Sequence, residues 1–192
     1  MYDNCERELL YLDLSINVSK TYCIRIGPRY TIECCNITDF QGTAIPWSQK
    51  IKYLGIFITA SFSFRCSFEQ SKSKYFRAVN SIFGKIGRCA SEETFLHLVS
   101  TKCLPILLYS TEVCPLNKSD LRSLDFAVNK FLFKLFKTSD NSIVEECRFY
   151  LNFRLPSEII PGRTENFTKK ISASNNLLLR VSLLWFCLFN LI

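Results

Sequence analysis

Six glycines and six prolines in 192 residues are too few for an all-β domain, which has to turn about every ten residues. Histidine is nearly absent too, and none of the ten cysteines forms a Cys-x-x-Cys pair. The single histidine, His97, lies between Cys89 and Cys103 at spacings unlike those of zinc knuckles, so it reads as a helix-face residue and not as a ligand. The start, Met1-Tyr-Asp-Asn-Cys-Glu-Arg-Glu, has no basic stretch followed by an apolar one and so does not read as a secretory signal. The cysteines are therefore expected to be reduced thiols, in a protein that is intracellular, in the cytoplasm or nucleus, and not secreted. There is no glycine-rich phosphate loop, since Gly84 and Gly87 stand isolated, and no two aspartates are adjacent anywhere. Nor does any apolar run reach the roughly 18 to 20 residues that cross a bilayer. Leu177 to Ile192 is nearly all apolar but carries Arg180 and Asn190. It reads as a buried or aggregation-prone helix, with a tail anchor as the lesser reading, so a membrane partner is not expected.

What is present suits a folded chain. Apolar residues make up 48% and aromatics 14%, enough for one substantial core. Lys and Arg outnumber Asp and Glu by 24 to 17, a net charge of +7 that fits polyanion contact but is common among ordinary proteins. Asp3 to Leu14 predicts the end of an amphipathic helix, with Leu9, Leu10, Leu12 and Leu14 apolar and Glu6, Arg7 and Glu8 on the wet side. Tyr22 to Ile26 predicts a strand that turns at Gly27-Pro28 and pairs with Tyr30 to Cys35. Gln41-Gly42-Thr43 is a second turn, and Ile51 to Ile58 predicts a buried strand rich in β-branched and aromatic residues.

From Phe68 the period changes to that of a helix. Phe68, Tyr75, Phe76, Val79, Ile82, Phe83 and Ile86 share an arc about 120° wide at roughly 100° per residue. Lys74, Arg77, Ser81, Lys85 and Arg88 lie opposite, and Lys72 falls on the apolar side. A second helix is predicted from Ser91, an N-cap followed by Glu92 and Glu93, ending or kinking at Pro105. A third runs from Asn117 or Ser119 to Lys137, with Leu121, Leu124, Val128, Phe131, Leu132 and Leu135 on one face. Its other face carries Lys130, Lys134 and Lys137 together with Phe126 and Phe133, aromatics that ask for a second covering surface or a partner. Beyond Thr138 the periodicity weakens; Asn152 to Pro156 and Pro161-Gly162-Arg163 read as breaks, with one short helix over Glu165 to Ile171.

Six elements in order then carry a resemblance. They are Glu6 to Leu14; Ile16-Asn17-Val18-Ser19-Lys20-Thr21; Ile24-Arg25-Ile26-Gly27; Ile45-Pro46-Trp47 before Lys52-Tyr53-Leu54-Gly55; Ala78-Val79-Asn80 with Gly84-Lys85; and Leu104-Pro105 through Tyr109 to Glu112. Between Cys5 and Thr138 the chain resembles the end of the palm and the thumb of a non-LTR (LINE-type) retrotransposon reverse transcriptase. The resemblance implies an α+β fold: a small antiparallel sheet with one helix (the end of a polymerase palm) followed by a helical thumb bundle. It divides the chain into a partial palm (1–62), a thumb-like helical region (63–138) and a poorly defined C-terminal extension with the apolar tail (139–192). The helix beginning at Asp3 is expected to start upstream of the chain, as are the strands bearing the catalytic carboxylates.

Site roles follow from the same resemblance. Lys20 would screen or protonate departing pyrophosphate, although by residue type alone Asn17 and Lys20 are a solvated turn. Tyr53, Leu54 and Gly55 would form the primer grip, where a glycine backbone approaches the sugar-phosphate chain closely; Leu54 and Ile56 are equally suited to a core. Lys74, Arg77, Lys85 and Arg88 would contact phosphates of an RNA template and DNA primer, or be a solvated helix face. The family works with Mg²⁺ held by closely placed aspartates. This chain has no Asp-Asp; Asp120, Asp125, Asp140, Glu92-Glu93 and Glu145-Glu146 offer no replacement, so the chain alone is expected to hold no cofactor and to be inactive. The rival reading is a non-enzymatic helical module that binds nucleic acid or protein through Lys130 to Lys137.

Overall fold

A computed structural model describes residues 2–86 and 89–176, and the chain divides into two compact units between Ser67 and Phe68. The architecture is mixed α+β, with small antiparallel sheets in the first unit and helices in the second. The predicted segments Gly87-Arg88 and Leu177 to Ile192 lie outside the described residues.

The first unit opens with α1 (Tyr2–Tyr11) and a 3-10 turn over Val18–Lys20. Strands β1 (Ile37–Thr38) and β2 (Ala44–Ile45) form one antiparallel pair, while β3 (Lys50–Tyr53), β4 (Ile56–Thr59) and β5 (Arg65–Ser67) form an antiparallel meander. The hairpin expected between 22–26 and 30–35 does not form. After Gly27, at φ 130°, the chain curls through two turns closed by Tyr30 N–H to the Gly27 carbonyl and Ile32 N–H to the Arg29 carbonyl, each 3.1 Å. Those backbone groups are then used locally and are not available to a ladder. The 22–26 stretch is held instead by isolated parallel bridges from Cys23 to Trp47 and from Ile26 to Ser61.

Ile51 to Ile58, expected as one strand, folds back on itself. Tyr53 pairs with Ile56, which leaves Leu54 (φ 45°) and Gly55 (φ 86°) as a two-residue loop. Two consecutive positive φ values are what a type I′ hairpin turn needs. Glycine adopts that region freely, whereas Leu54 does so at a cost of roughly 1 kcal/mol. Ile51 faces Ile58 and Ile58 faces Cys66 across the meander, and the Lys50 ammonium lies 4.7 Å from the Phe57 ring centre. The amphipathicity expected of the first helix holds only in part: Arg7 and Glu8 are exposed and Leu9 is half-buried, but the other assignments fail. Glu6 is buried and accepts the Phe40 N–H at 3.1 Å, while Leu10, Leu12 and Leu14 are exposed. In this unit Ile45 and Cys66 are the buried apolar side chains among the described residues; Tyr11, Tyr22, Ile32, Phe40 and Phe62 join the exposed leucines.

The second unit is built on two long helices, α2 (Glu69–Ile86) and α5 (Lys118–Phe136). Between them, α3 (Glu92–Leu98) starts at Ser91, whose side chain accepts the Thr94 N–H at 3.3 Å. The expected kink is a π turn over Val99–Cys103, after which α4 (Leu104–Leu107) continues. Pro105 has no N–H for the Thr101 carbonyl, and the widened turn carries the chain past it through a Leu104 N–H to Val99 carbonyl bond. Asn117 and Asp120 close a capping box at the start of α5 (2.7 and 3.1 Å), and Lys137 ends it in the left-handed region.

After Thr138, where little helix is expected, stand α6 (Asn141–Tyr150) and α7 (Pro156–Ser172). Pro161 and Gly162 lie inside α7 and do not break it. Its first turn is held from outside by Asp125 of α5, which accepts the Ser157 N–H, and locally by its own Glu158, which accepts the Leu155 N–H, both at 3.0 Å. Ile160 is buried, and Arg163 reaches both Glu112 oxygens at 3.0 and 3.2 Å. Together these tertiary contacts outweigh the one N–H that Pro161 removes. The core is contributed by α2 (Tyr75, Val79), α3 and α4 (Phe95, Val99, Leu107) and α5 (Leu124, Val128, Leu132). Phe95 packs edge-on to Phe83 and stacks on Phe131, with ring centres 5.5 and 5.4 Å apart.

Candidate nucleic-acid interface

The basic face predicted for the helix after Phe68 is present on α2. Lys74, Arg77 and Lys85 are exposed, while Tyr75 and Val79 on the opposite arc are buried. The spacing of three and eight residues keeps the cations on one face; at 1.5 Å per residue they span about 16 Å, the axial length of roughly five base pairs. Among the described residues none of the three forms an ion pair. Arg88, the fourth member of the predicted stripe, lies outside the described residues. Lys72, predicted on the apolar side, is half-buried and donates to Ser123 Oγ of α5 at 2.9 Å. Its amine fastens the two helices together.

On α5 the predicted basic face turns partly inward. Lys130 and Lys134 place their ammonium groups 5.9 Å from the Phe76 ring centre and 4.7 Å from that of Phe83. These are cation–π contacts at a helix–helix seam, each worth on the order of 0.5–1 kcal/mol at partly exposed sites. Of the two aromatics expected to need cover, Phe133 is half-buried and Phe126 remains 64% exposed.

The first unit carries the remaining candidates. Lys20 is exposed at the end of the 3-10 turn, which Asn17 builds: its carbonyl accepts the Lys20 N–H (3.0 Å) and the Thr21 hydroxyl (2.9 Å), and its side-chain oxygen accepts Ser19 Oγ (2.6 Å). Asn17 thus makes the turn and Lys20 is left pointing into solvent. Tyr53 and Leu54 are 59% and 72% exposed at the β3–β4 tip, and Gly55 is half-buried. No hydrogen bond among the described residues joins this tip to Lys20. The special backbone at Leu54 escapes sequence reasoning because leucine is not a turn residue; the following glycine is the available signal.

The three aspartates weighed as metal ligands have structural work. Asp120 caps α5, Asp125 caps α7 and Asp140 caps α6, accepting the Ser142 hydroxyl and N–H at 2.7 and 2.9 Å. The Ser142 bonds, the side-chain one first, hold the Asp140 carboxyl below its ordinary range. Glu112 and Glu158 are paired with Arg163 and Arg148. Among the described residues no three His, Cys, Asp or Glu side chains converge as a metal site, and no helix is long and apolar enough to cross a membrane.

Glu93, His97 and Ser100 do gather along a cavity of about 570 Å³. The Ser100 hydroxyl, however, donates to the His97 carbonyl at 2.9 Å, so its proton is committed to backbone and the trio lacks the hydroxyl-to-imidazole bond of a nucleophilic site. Burial pushes the Cys103 thiol up, which keeps it protonated and unreactive. Comparison with protein-family models, with curated proteins and with solved structures finds no match.

Proposed function

We propose that this chain is the end of the palm and the thumb of an RNA-directed DNA polymerase of the non-LTR retrotransposon type, keeping surfaces that bind the template-primer without the carboxylates that catalyse. The observation that carries the reading is the exposed, unpaired face of Lys74, Arg77 and Lys85 on a helix that follows directly after an antiparallel meander with Tyr53-Leu54-Gly55 at its tip. In this reading the cations of α2 hold phosphates of an RNA–DNA hybrid, and the exposed tip lies against the primer backbone. Lys20 supplies positive charge where pyrophosphate would leave. The exposed apolar side chains of the first unit are a surface suited to a covering layer.

The Mg²⁺ ions of such an enzyme do not fit the residues present, because the aspartates of the second unit are helix caps and Glu112 and Glu158 are ion-paired. The chain by itself is therefore expected to extend no primer. A non-enzymatic helical binding module remains the second reading, and exposed Phe126 is the observation that favours it.

The test is a titration of an RNA–DNA hybrid against the chain from 50 to 200 mM salt, the range being about that over which several phosphate contacts are resolved. A steep loss of affinity is expected, and replacing Lys74, Arg77 and Lys85 together by Gln should flatten the log–log slope by roughly 2 to 3. A shallow slope, or one the triple variant leaves unchanged, overturns the reading.

A further inference from the structure

We propose that the groove between α2 and α5 binds single-stranded nucleic acid, with one base stacked on Phe126 and the flanking phosphates on Arg77 and Lys130. This rests on the nucleic-acid reading above and adds a second ligand form in a neighbouring groove that shares Arg77 with the duplex-binding face. The groove encloses about 530 Å³, and Phe76, Arg77, Phe126 and Lys130 line it, a volume within the range of sites that hold small ligands.

Charge complementarity names the occupant. Helix α2 carries four Lys or Arg against Glu69, and α5 carries four against Asp120 and Asp125. Both aspartates are taken up by backbone caps, and the groove wall itself carries Lys72, Arg77 and Lys130 against the single carboxylate of Glu69, so its lining is net positive. A protein partner would look for a broad apolar centre. Here the apolar lining is Phe76, Phe126 and Ala127, and the polar side chains of Ser73, Asn80 and Ser123 share the wall.

One exposed aromatic ring ringed by cations and hydrogen-bonding groups suits a nucleotide better. An unpaired base gains a stacking surface on Phe126, 64% exposed, whereas a base inside a duplex is already stacked and gains little. Lys130, over the Phe76 ring at 5.9 Å, and Arg77, exposed on α2, line the same groove and supply cations for the backbone.

The full chain should be titrated with a 12-nucleotide oligo-uridine carrying one 2-aminopurine, and in parallel with an RNA–DNA hybrid of equal length. Wild type is expected to quench the 2-aminopurine on binding. Phe126→Leu, which keeps the apolar bulk and removes the ring, should lose the quench and about tenfold in single-strand affinity while leaving hybrid affinity unchanged. Phe126→Trp should keep both, and Lys130→Gln should lower the single-strand salt slope by about 1. Hybrid binding with no effect of Phe126→Leu on the single strand overturns this inference alone. Failure of wild type to bind either nucleic acid overturns it together with the reading it rests on.

Discussion

Replacing Tyr75 by phenylalanine should stabilise the helical unit although it deletes a polar group from the core. Tyr75 is fully buried on α2, and its hydroxyl has no hydrogen-bond partner among the described residues. A buried hydroxyl left unpaired costs roughly 1–3 kcal/mol of lost hydration. Removing it opens a void about the size of one oxygen, which at roughly 24 cal/mol per Å³ costs less than about 0.5 kcal/mol. The expected net gain is about 1 kcal/mol, read as an increase of roughly 0.5 M in the urea midpoint. A second signature appears at high pH. Burial, and then the neighbouring Cys103, push the Tyr75 phenol well above its ordinary value near 10. The folded state therefore holds this proton more tightly than the unfolded one, so the contribution is intact below about pH 10 and declines as pH rises toward the folded value. Tyr75→Phe should remove that part of the alkaline loss. Urea unfolding followed by circular dichroism at pH 7 and pH 10.5 measures both effects; a variant less stable than wild type by 1 kcal/mol, or an unchanged alkaline limb, refutes the reasoning.

At the hairpin tip, Leu54→Asn creates the Asn-Gly pair that a type I′ turn favours, and should slow hydrogen exchange at the paired Ile56 amide, with a local gain of roughly 0.5–1 kcal/mol; faster exchange counts against the turn assignment. Asp140→Ala should lower the thermal midpoint at pH 7. Because the folded carboxyl sits below its ordinary value of 3.8, the stabilisation is present above about pH 4 and fades as pH falls through the folded value, so the gap between wild type and variant should narrow as pH is lowered below about 4. Arg163→Met and Glu112→Gln, tested singly and together, should show a coupling of about 1 kcal/mol, since the guanidinium reaches both carboxylate oxygens; simple additivity would contradict the pairing.

Helices whose sequence alternates a wet and a dry arc were legible from residue types. Phe68 to Ile86 reads correctly because Lys74, Arg77 and Lys85 fall opposite Tyr75 and Val79, and the Ser91 and Asn117 caps announce where α3 and α5 begin. Elements settled by distant contacts were not. Pro161-Gly162 has the look of a break, yet Asp125 and Glu112, 32 and 51 residues away from their partners in sequence, hold α7 across it. The strand expected through Leu54-Gly55 hid a turn because β-branched and aromatic residues run on both sides of it. Glu6 was assigned to water because its acceptor role belongs to an amide 34 residues on. At the site, the basic face was visible in the sequence, but the inward lean of Lys130 and Lys134 depends on where Phe76 and Phe83 lie on another helix.

The central proposal, that the basic face of α2 and the β3–β4 tip each contact nucleic acid, is tested most directly by photocrosslinking. An RNA–DNA hybrid substituted with 4-thiouridine would be irradiated with the full chain and the adducts mapped by mass spectrometry. Adducts in the peptides spanning β3–β4 and α2, lost when Lys74, Arg77 and Lys85 are replaced by Gln, are the predicted result. Adducts confined to other segments, or none at low salt, would contradict the account.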